Sequence, residues 1–106
     1  MNLDVSKLET LDKYHLLIGG VTPRPIAWIS TCSGNNVDNL APFSFFTVAS
    51  CNPPVLLYTE VNKRDGHIKD TRRNLIATGE CVVNITDTDL LEKMNLTSAS
   101  LDSDKS

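Results

Sequence analysis

Lys69-Asp70-Thr71 sets an ammonium, a carboxylate and a hydroxyl side by side, with Arg72, Arg73 and Asn74 directly after them. Asp70 is placed to cap a helix through Leu75 and Ile76 to Ala77-Thr78, and Gly79 takes the favoured position just past its end. Such a helix turns its unpaired backbone N–H groups and positive end toward the region reached by the Thr71 hydroxyl and the Lys69 ammonium, a donor set that suits a phosphate monoester. Arg64, upstream in the polar loop 60–67, is placed to fold over the same anion. The same residues also suit an ordinary solvated helix start, and only a phosphate-bearing ligand separates the two readings.

Two further places carry polar groups with a reason to be there. The segment from Asn39 to Thr47 alternates Ser44 and Phe46 with their neighbours beside a break at Pro42, so its backbone groups can meet the edge of a planar ring while aromatic and branched side chains cover the face. Its alternative is a core strand that simply buries Phe43, Phe45 and Phe46. Arg24 is held between Pro23 and Pro25, each of which fixes its own φ and biases the preceding residue toward extended backbone. It can pair with a phosphate or ring oxygen, or serve as an edge charge that keeps a strand from pairing with strangers.

Other chemistries lack their motifs. No GxGxxG opens a βαβ unit, no GxxxxGK[ST] loop is present, and no G-x-S-x-G elbow occurs. His15 and His67 lack metal-ligand spacing. Cys32, Cys51 and Cys81 are odd in number and far apart, which argues against a disulfide framework or a thiolate zinc site; they read as small buried hydrophobes in a reduced compartment. What survives is an organic cofactor that performs the hard step while the protein holds and tunes it.

The elements that must position these groups are short. Residues 3–13 read as a helix or loop, and Tyr14 to Ile18, ended by Gly19-Gly20, as a first strand or its lead-in. Ile26 to Cys32 is strand-like, Ser33-Gly34-Asn35-Asn36 is a hairpin turn, and the return run from Val37 to Ala49 is broken at Pro42, which marks a bulge, a strand end or an edge. Asn52-Pro53-Pro54 turns the chain into a strand over Val55 to Thr59. After the 70–78 helix come a strand over Cys81 to Ile85 and a short helix that begins at Thr86 or Asp87. Short β runs separated by Pro, Gly and Asn turns point to a barrel or sandwich rather than a doubly wound sheet.

The bulk properties set the class. A chain of 106 residues, 41% hydrophobic and 22% charged, fits one globular unit. A net charge of −3 without any basic block supplies no positive field for nucleic acid or an anionic membrane surface. The first eleven residues hold no signal-peptide core and no apolar run spans a bilayer, so a cytoplasmic location is expected.

Taken in order, Arg24-Pro25-Ile26-Ala27-Trp28-Ile29-Ser30-Thr31, Asn39-Leu40-Ala41-Pro42-Phe43-Ser44-Phe45-Phe46, Asn52-Pro53-Pro54, Lys69-Asp70-Thr71 with Asn74, and Thr78-Gly79-Glu80-Cys81-Val82-Val83-Asn84 resemble the flavin reductase-like, FMN-binding split-barrel family. The resemblance covers roughly residues 14–97. It implies a mainly β, antiparallel Greek-key split barrel with short helices, formed by residues 14–106 after an N-terminal extension at 1–13. That domain is longer in the family, so the barrel is expected to be incomplete at the C-terminus of this chain. The resemblance also implies non-covalent FMN, a homodimer with the flavin near its interface, and hydride transfer from NADH or NADPH to flavin, or else an FMN carrier without enzymatic turnover. Carried over by motif, Asn39, Ser44, Phe46 and Thr47 line the ring and ribityl chain, Arg24 and Thr31 lie near the same ligand, and Lys69 and Thr71 hold the phosphate with Arg64 and Asn74.

Overall fold

The structure is a computed structural model that describes residues 2–61 and 66–98. After a 3-10 turn at Val5–Lys7 comes helix α1, Thr10–Gly20. This corrects the strand expected at Tyr14 to Ile18. An apolar run of five residues cannot choose between helix and strand by itself, and here Leu11, Tyr14 and Ile18 fall at helical spacing while Gly19 and Gly20 lie in the last turn.

The centre of the molecule is β1, Ala27–Cys32. Ala27, Ile29 and Thr31 are buried while Trp28, Ser30 and Cys32 are half-buried, the period of two that a strand imposes on a one-sided core. Ser33-Gly34-Asn35-Asn36 closes the hairpin: Asn36 adopts φ 63°, the Ser33 hydroxyl accepts from the Asn35 and Val37 N–H groups, and Ser33 N–H donates to the Val37 carbonyl at 2.9 Å. The return strand β2, Asp38–Phe43, pairs antiparallel with β1, Thr31 opposite Asn39 and Trp28 opposite Pro42. Pro42 is tolerated because β2 is at the edge of its sheet.

The chain then leaves this sheet. Ser44 and Phe45 form a corner, and β3, Phe46–Cys51, pairs with β4, Pro54–Tyr58, as a separate two-stranded antiparallel sheet with a register shift between Val48 and Ser50. Helix α2, Asp70–Thr78, ends at Gly79, whose φ of 73° is the left-handed cap conformation expected of it. Strand β5, Val82–Asn84, adds to the far side of β1, giving the order β2-β1-β5. A 3-10 turn at Thr88–Leu90, capped by the Asp87 carboxylate, leads into α3, Leu91–Leu96.

The expected mainly β split barrel is therefore not what the described residues form. Among them, the three α-helices hold 11, 9 and 6 residues and the five strands 6, 6, 6, 5 and 3, so helix and strand contribute equally. The two sheets are open and do not close on each other. Two causes stand out: one expected strand is helix α1, and the corner at Ser44-Phe45 sends β3 into a new sheet instead of extending β2. The core is correspondingly small, with Ala27, Ile29 and Phe43 packed against Ala41, Phe46, Tyr58 and Val83. The cysteines also depart from expectation: Cys51 and Cys81 are exposed and Cys32 is half-buried. No described helix is long and apolar enough to cross a membrane.

Candidate functional site

An open cleft of about 1110 Å³ runs along β2, between the amino end of α2 and the carboxyl end of α3. Residues from both faces of β2 line it, so the cleft wraps around that strand's free edge, where alternate residues present backbone N–H and C=O groups outward. Of the residues singled out from sequence, Thr31, Asn39, Lys69 and Thr71 line it. Lys69 is the residue before α2, and its ammonium lies 5.5 Å from the centroid of the Phe43 ring, a cation–π arrangement that holds the charge at the cleft wall. It also lines a smaller neighbouring recess of about 150 Å³ with Tyr14, Ser44, Phe45 and Thr59.

Four of the expected residues form one polar seam between helix and sheet. Asn39 Nδ2 donates to Thr71 Oγ1 and Asn74 Nδ2 donates to Thr31 Oγ1, each at 3.0 Å. The seam follows from two periodicities: Thr31 and Asn39 face each other across β1 and β2, while Thr71 and Asn74, three apart, share one helix face. Thr71 and Asn74 are 1% and 3% exposed, which makes these bonds the means by which buried polar groups are satisfied. Asn74 therefore orients Thr31, and Asn39 orients the Thr71 hydroxyl, which keeps its own proton free to donate.

The other expected residues lie elsewhere. The Arg24 guanidinium donates to the carbonyls of Ile18 and Val21 at 2.7 Å and to the Ser44 hydroxyl at 3.3 Å, and it covers the Phe45 ring at 5.4 Å. It clamps the end of α1 to the 44–45 corner. Phe46 packs against the core and Thr47 is exposed on β3; neither lines the cleft. Arg64 lies outside the described residues.

The amino end of α2 differs from the expected cap. The Asp70 carboxylate is in the first turn and pairs with Arg73, and Lys69 stands at the cap position without a side-chain bond. The Glu60 carboxylate, after β4, accepts from the Tyr58 hydroxyl at 3.0 Å. Burial pushes the Glu60 carboxyl above the ordinary range, against the opposing pull of Tyr58, Lys69 and Arg72. Burial, the bond to Glu60 and its charge push the Tyr58 phenol up. At the other end, desolvation, Asp38 and Glu80 raise the Cys32 thiol above its ordinary range.

Asp38, Glu80, Leu96 and Thr97 also line the cleft. Thr97 accepts from the Trp28 indole N–H at 2.9 Å, which ties the end of α3 to β1. The sequence does not single these out as site residues. Glu80 directly follows Gly79, whose turn aims the chain into β5, and that turn is the available signal; Thr97 follows a helix too short to announce what it faces.

Residues 19–106 match the model of the flavin reductase like domain. The chain is 47% identical over 100 residues to the uncharacterized protein YwrF of Bacillus subtilis, covering 94% of this chain and 48% of that protein. It superposes with a TM-score of 0.91 at 33% identity on nitrilotriacetate monooxygenase component B from Bacillus cereus, covering 99% of this chain and 52% of that one. It superposes with a TM-score of 0.84 at 32% identity on the Pseudomonas fluorescens 2-nitrobenzoate 2-nitroreductase NbaA, covering 98% and 50%. The chain thus spans about half the length of the relatives it matches. With residues 19–106 matched by that domain model, the chain belongs to the flavin reductase-like, split-barrel family.

Proposed function

We propose that the chain binds FMN in the cleft along β2 and, as a homodimer with the flavin near its interface, passes a hydride from NADH or NADPH to it. The observation that supports this reading best is the convergence of Lys69, the first turn of α2 and the free edge of β2 on one cleft. Its volume of about 1110 Å³ is just above the roughly 300–1,000 Å³ usual for small-ligand sites, so a mononucleotide fits. Charge orients the ligand: Asp38 and Glu80 line the cleft beside Cys32 and repel a phosphate, while Lys69 and the positive end of α2 attract it. The first N–H groups of a helix have no intrahelical acceptor and suit phosphate oxygens.

Lys69 and Thr71 then hold the phosphate. Asn39 fixes the Thr71 hydroxyl, and Thr31 and Asn74 hold α2 against the sheet so that its amino end faces the cleft. The outward backbone groups of β2 meet the edge of the ring system. When bound, the flavin supplies the hydride-accepting atom. The protein's task is then to orient the ring and exclude water, which needs no catalytic acid or base of the chain's own. The names of the two structural neighbours, a monooxygenase component and a nitroreductase, support a redox role.

The test is an absorbance titration of the purified chain with FMN, followed by NADH or NADPH oxidation in the presence of bound flavin. The expected outcome is a shifted flavin spectrum with saturation, and pyridine-nucleotide oxidation above the free-flavin rate. Binding without turnover would leave a flavin carrier, and a spectrum identical to free FMN at all concentrations would overturn the proposal.

A further inference from the structure

The recess of about 150 Å³ beside the cleft forms where the chain leaves its first sheet. Tyr14 of α1, Ser44 of the corner, Thr59 after β4 and Lys69 before α2 line it, so three hydroxyls and an ammonium meet there and no carboxylate does. Pro42, Phe43 and Lys69 line the cleft as well, and they are the common wall of the two cavities. The wall of the recess is mostly polar, whereas that of the cleft is mostly apolar. The volume is about half of the roughly 300 Å³ at which small-molecule pockets begin, so the recess admits one small group and no ring system.

Contacts on three sides fix these donors. The Thr59 N–H donates to the Phe45 carbonyl at 2.9 Å, and the Tyr14 ring meets the Phe45 ring edge-on, centroids 6.2 Å apart. The Lys69 ammonium is held 5.5 Å from the Phe43 centroid. Arg24 Nε donates to the Ser44 hydroxyl oxygen at 3.3 Å. A hydroxyl that already accepts keeps its own proton to donate, and the guanidinium behind it favours an anion as the acceptor. We propose that this recess is an oxyanion site separate from the cleft, which takes one phosphate-sized oxyanion on the Lys69 ammonium and the Ser44 and Thr59 hydroxyls. The oxyanion comes either free from solution or as the phosphoryl end of a ligand whose body lies across the shared wall.

The experiment follows thermal stability of the 106-residue chain, S44A and T59V as inorganic phosphate replaces chloride at constant ionic strength. Phosphate is expected to stabilise the native chain saturably, and each variant to weaken the apparent phosphate affinity by about tenfold, the effect of one hydrogen bond to a charged acceptor. T59V keeps the shape of the side chain and leaves the Arg24 to Ser44 bond in place, so it decides the matter if S44A does not fold. A native chain that phosphate stabilises no more than chloride overturns the proposal, and so does an equal phosphate response in all three chains. FMN and riboflavin affinities of the native chain and T59V, from quenching of flavin fluorescence, separate the two sources. A T59V chain that loses the phosphate response and keeps its FMN affinity assigns the recess to a free oxyanion; selective weakening of FMN against riboflavin assigns it to the phosphoryl end of the ligand in the cleft. If neither flavin binds, the flavin reading of the cleft falls by itself, and the phosphate response of S44A and T59V still decides the recess.

Discussion

Replacing Asn74 with alanine removes the amide that donates to Thr31 Oγ1 at 3.0 Å and leaves a buried hydroxyl facing the gap. Asn74 is 3% exposed and Thr31 6%, so water does not readily take the lost partner's place. Leaving a buried hydrogen-bond partner unsatisfied costs about 1–3 kcal/mol, so a loss of about 2 kcal/mol is expected. For a chain of this size that lowers the melting temperature by roughly 8–16 °C. The assay is urea and thermal unfolding followed by far-ultraviolet circular dichroism, run on N74A, T31V and the double variant. If the two residues interact as described, the double variant loses less than the two single losses added, by about 1 kcal/mol. An N74A chain with unchanged stability would refute the seam as a structural device. So would strict additivity of the two variants, and either result would return Asn74 to the direct phosphate contact expected from its motif.

Other outcomes follow from the same geometry. R24A loses two 2.7 Å bonds to the Ile18 and Val21 carbonyls and should cost about 2 kcal/mol with flavin affinity unchanged, and R24K should not restore it because an ammonium cannot span both the carbonyls and Ser44; urea unfolding beside an FMN titration checks both points. G79A meets no atom within 4 Å, so its cost is the left-handed backbone alone, about 1 kcal/mol, and G79N should cost less; equal loss in the two variants would contradict this. Because burial raises the Glu60 carboxyl above its unfolded value, the folded chain binds that proton more tightly than the unfolded one. The stability due to this group is full below about pH 4.3 and declines as pH rises through the folded value, so the stability of E60Q relative to the native chain should grow over that window. A difference that stays constant with pH would count against it.

The sequence is most legible where a motif names its own geometry. Gly79 at the end of α2 and the Ser33 to Asn36 turn require specific backbone conformations, and both adopt them. Pro42 marks β2 as an edge because a proline has no N–H for a further ladder. The helix at 70–78 is legible, but its cap is not: Asp70 lies in the first turn and pairs with Arg73, and Lys69 stands at the cap position instead. The Tyr14 to Ile18 run fails as a strand because five residues are too few to set a period, and the eleven-residue helix becomes visible only through its packing, with Tyr14 against the Phe45 ring. Thr31, Asn39, Thr71 and Asn74 each stand out through their motifs, but that they bond pairwise depends on strand register and helix phase together. Arg24 reads toward a ligand in the sequence, and the bonds of its guanidinium to the end of α1 are a second use of it that no local pattern reports.

The most direct test is a crystal structure of the chain with FMN. It should show the phosphate at the amino end of α2, within hydrogen-bond reach of Lys69 Nζ and the Thr71 hydroxyl, and the ring system along the free edge of β2. A flavin phosphate bound away from Lys69 and α2 would contradict it.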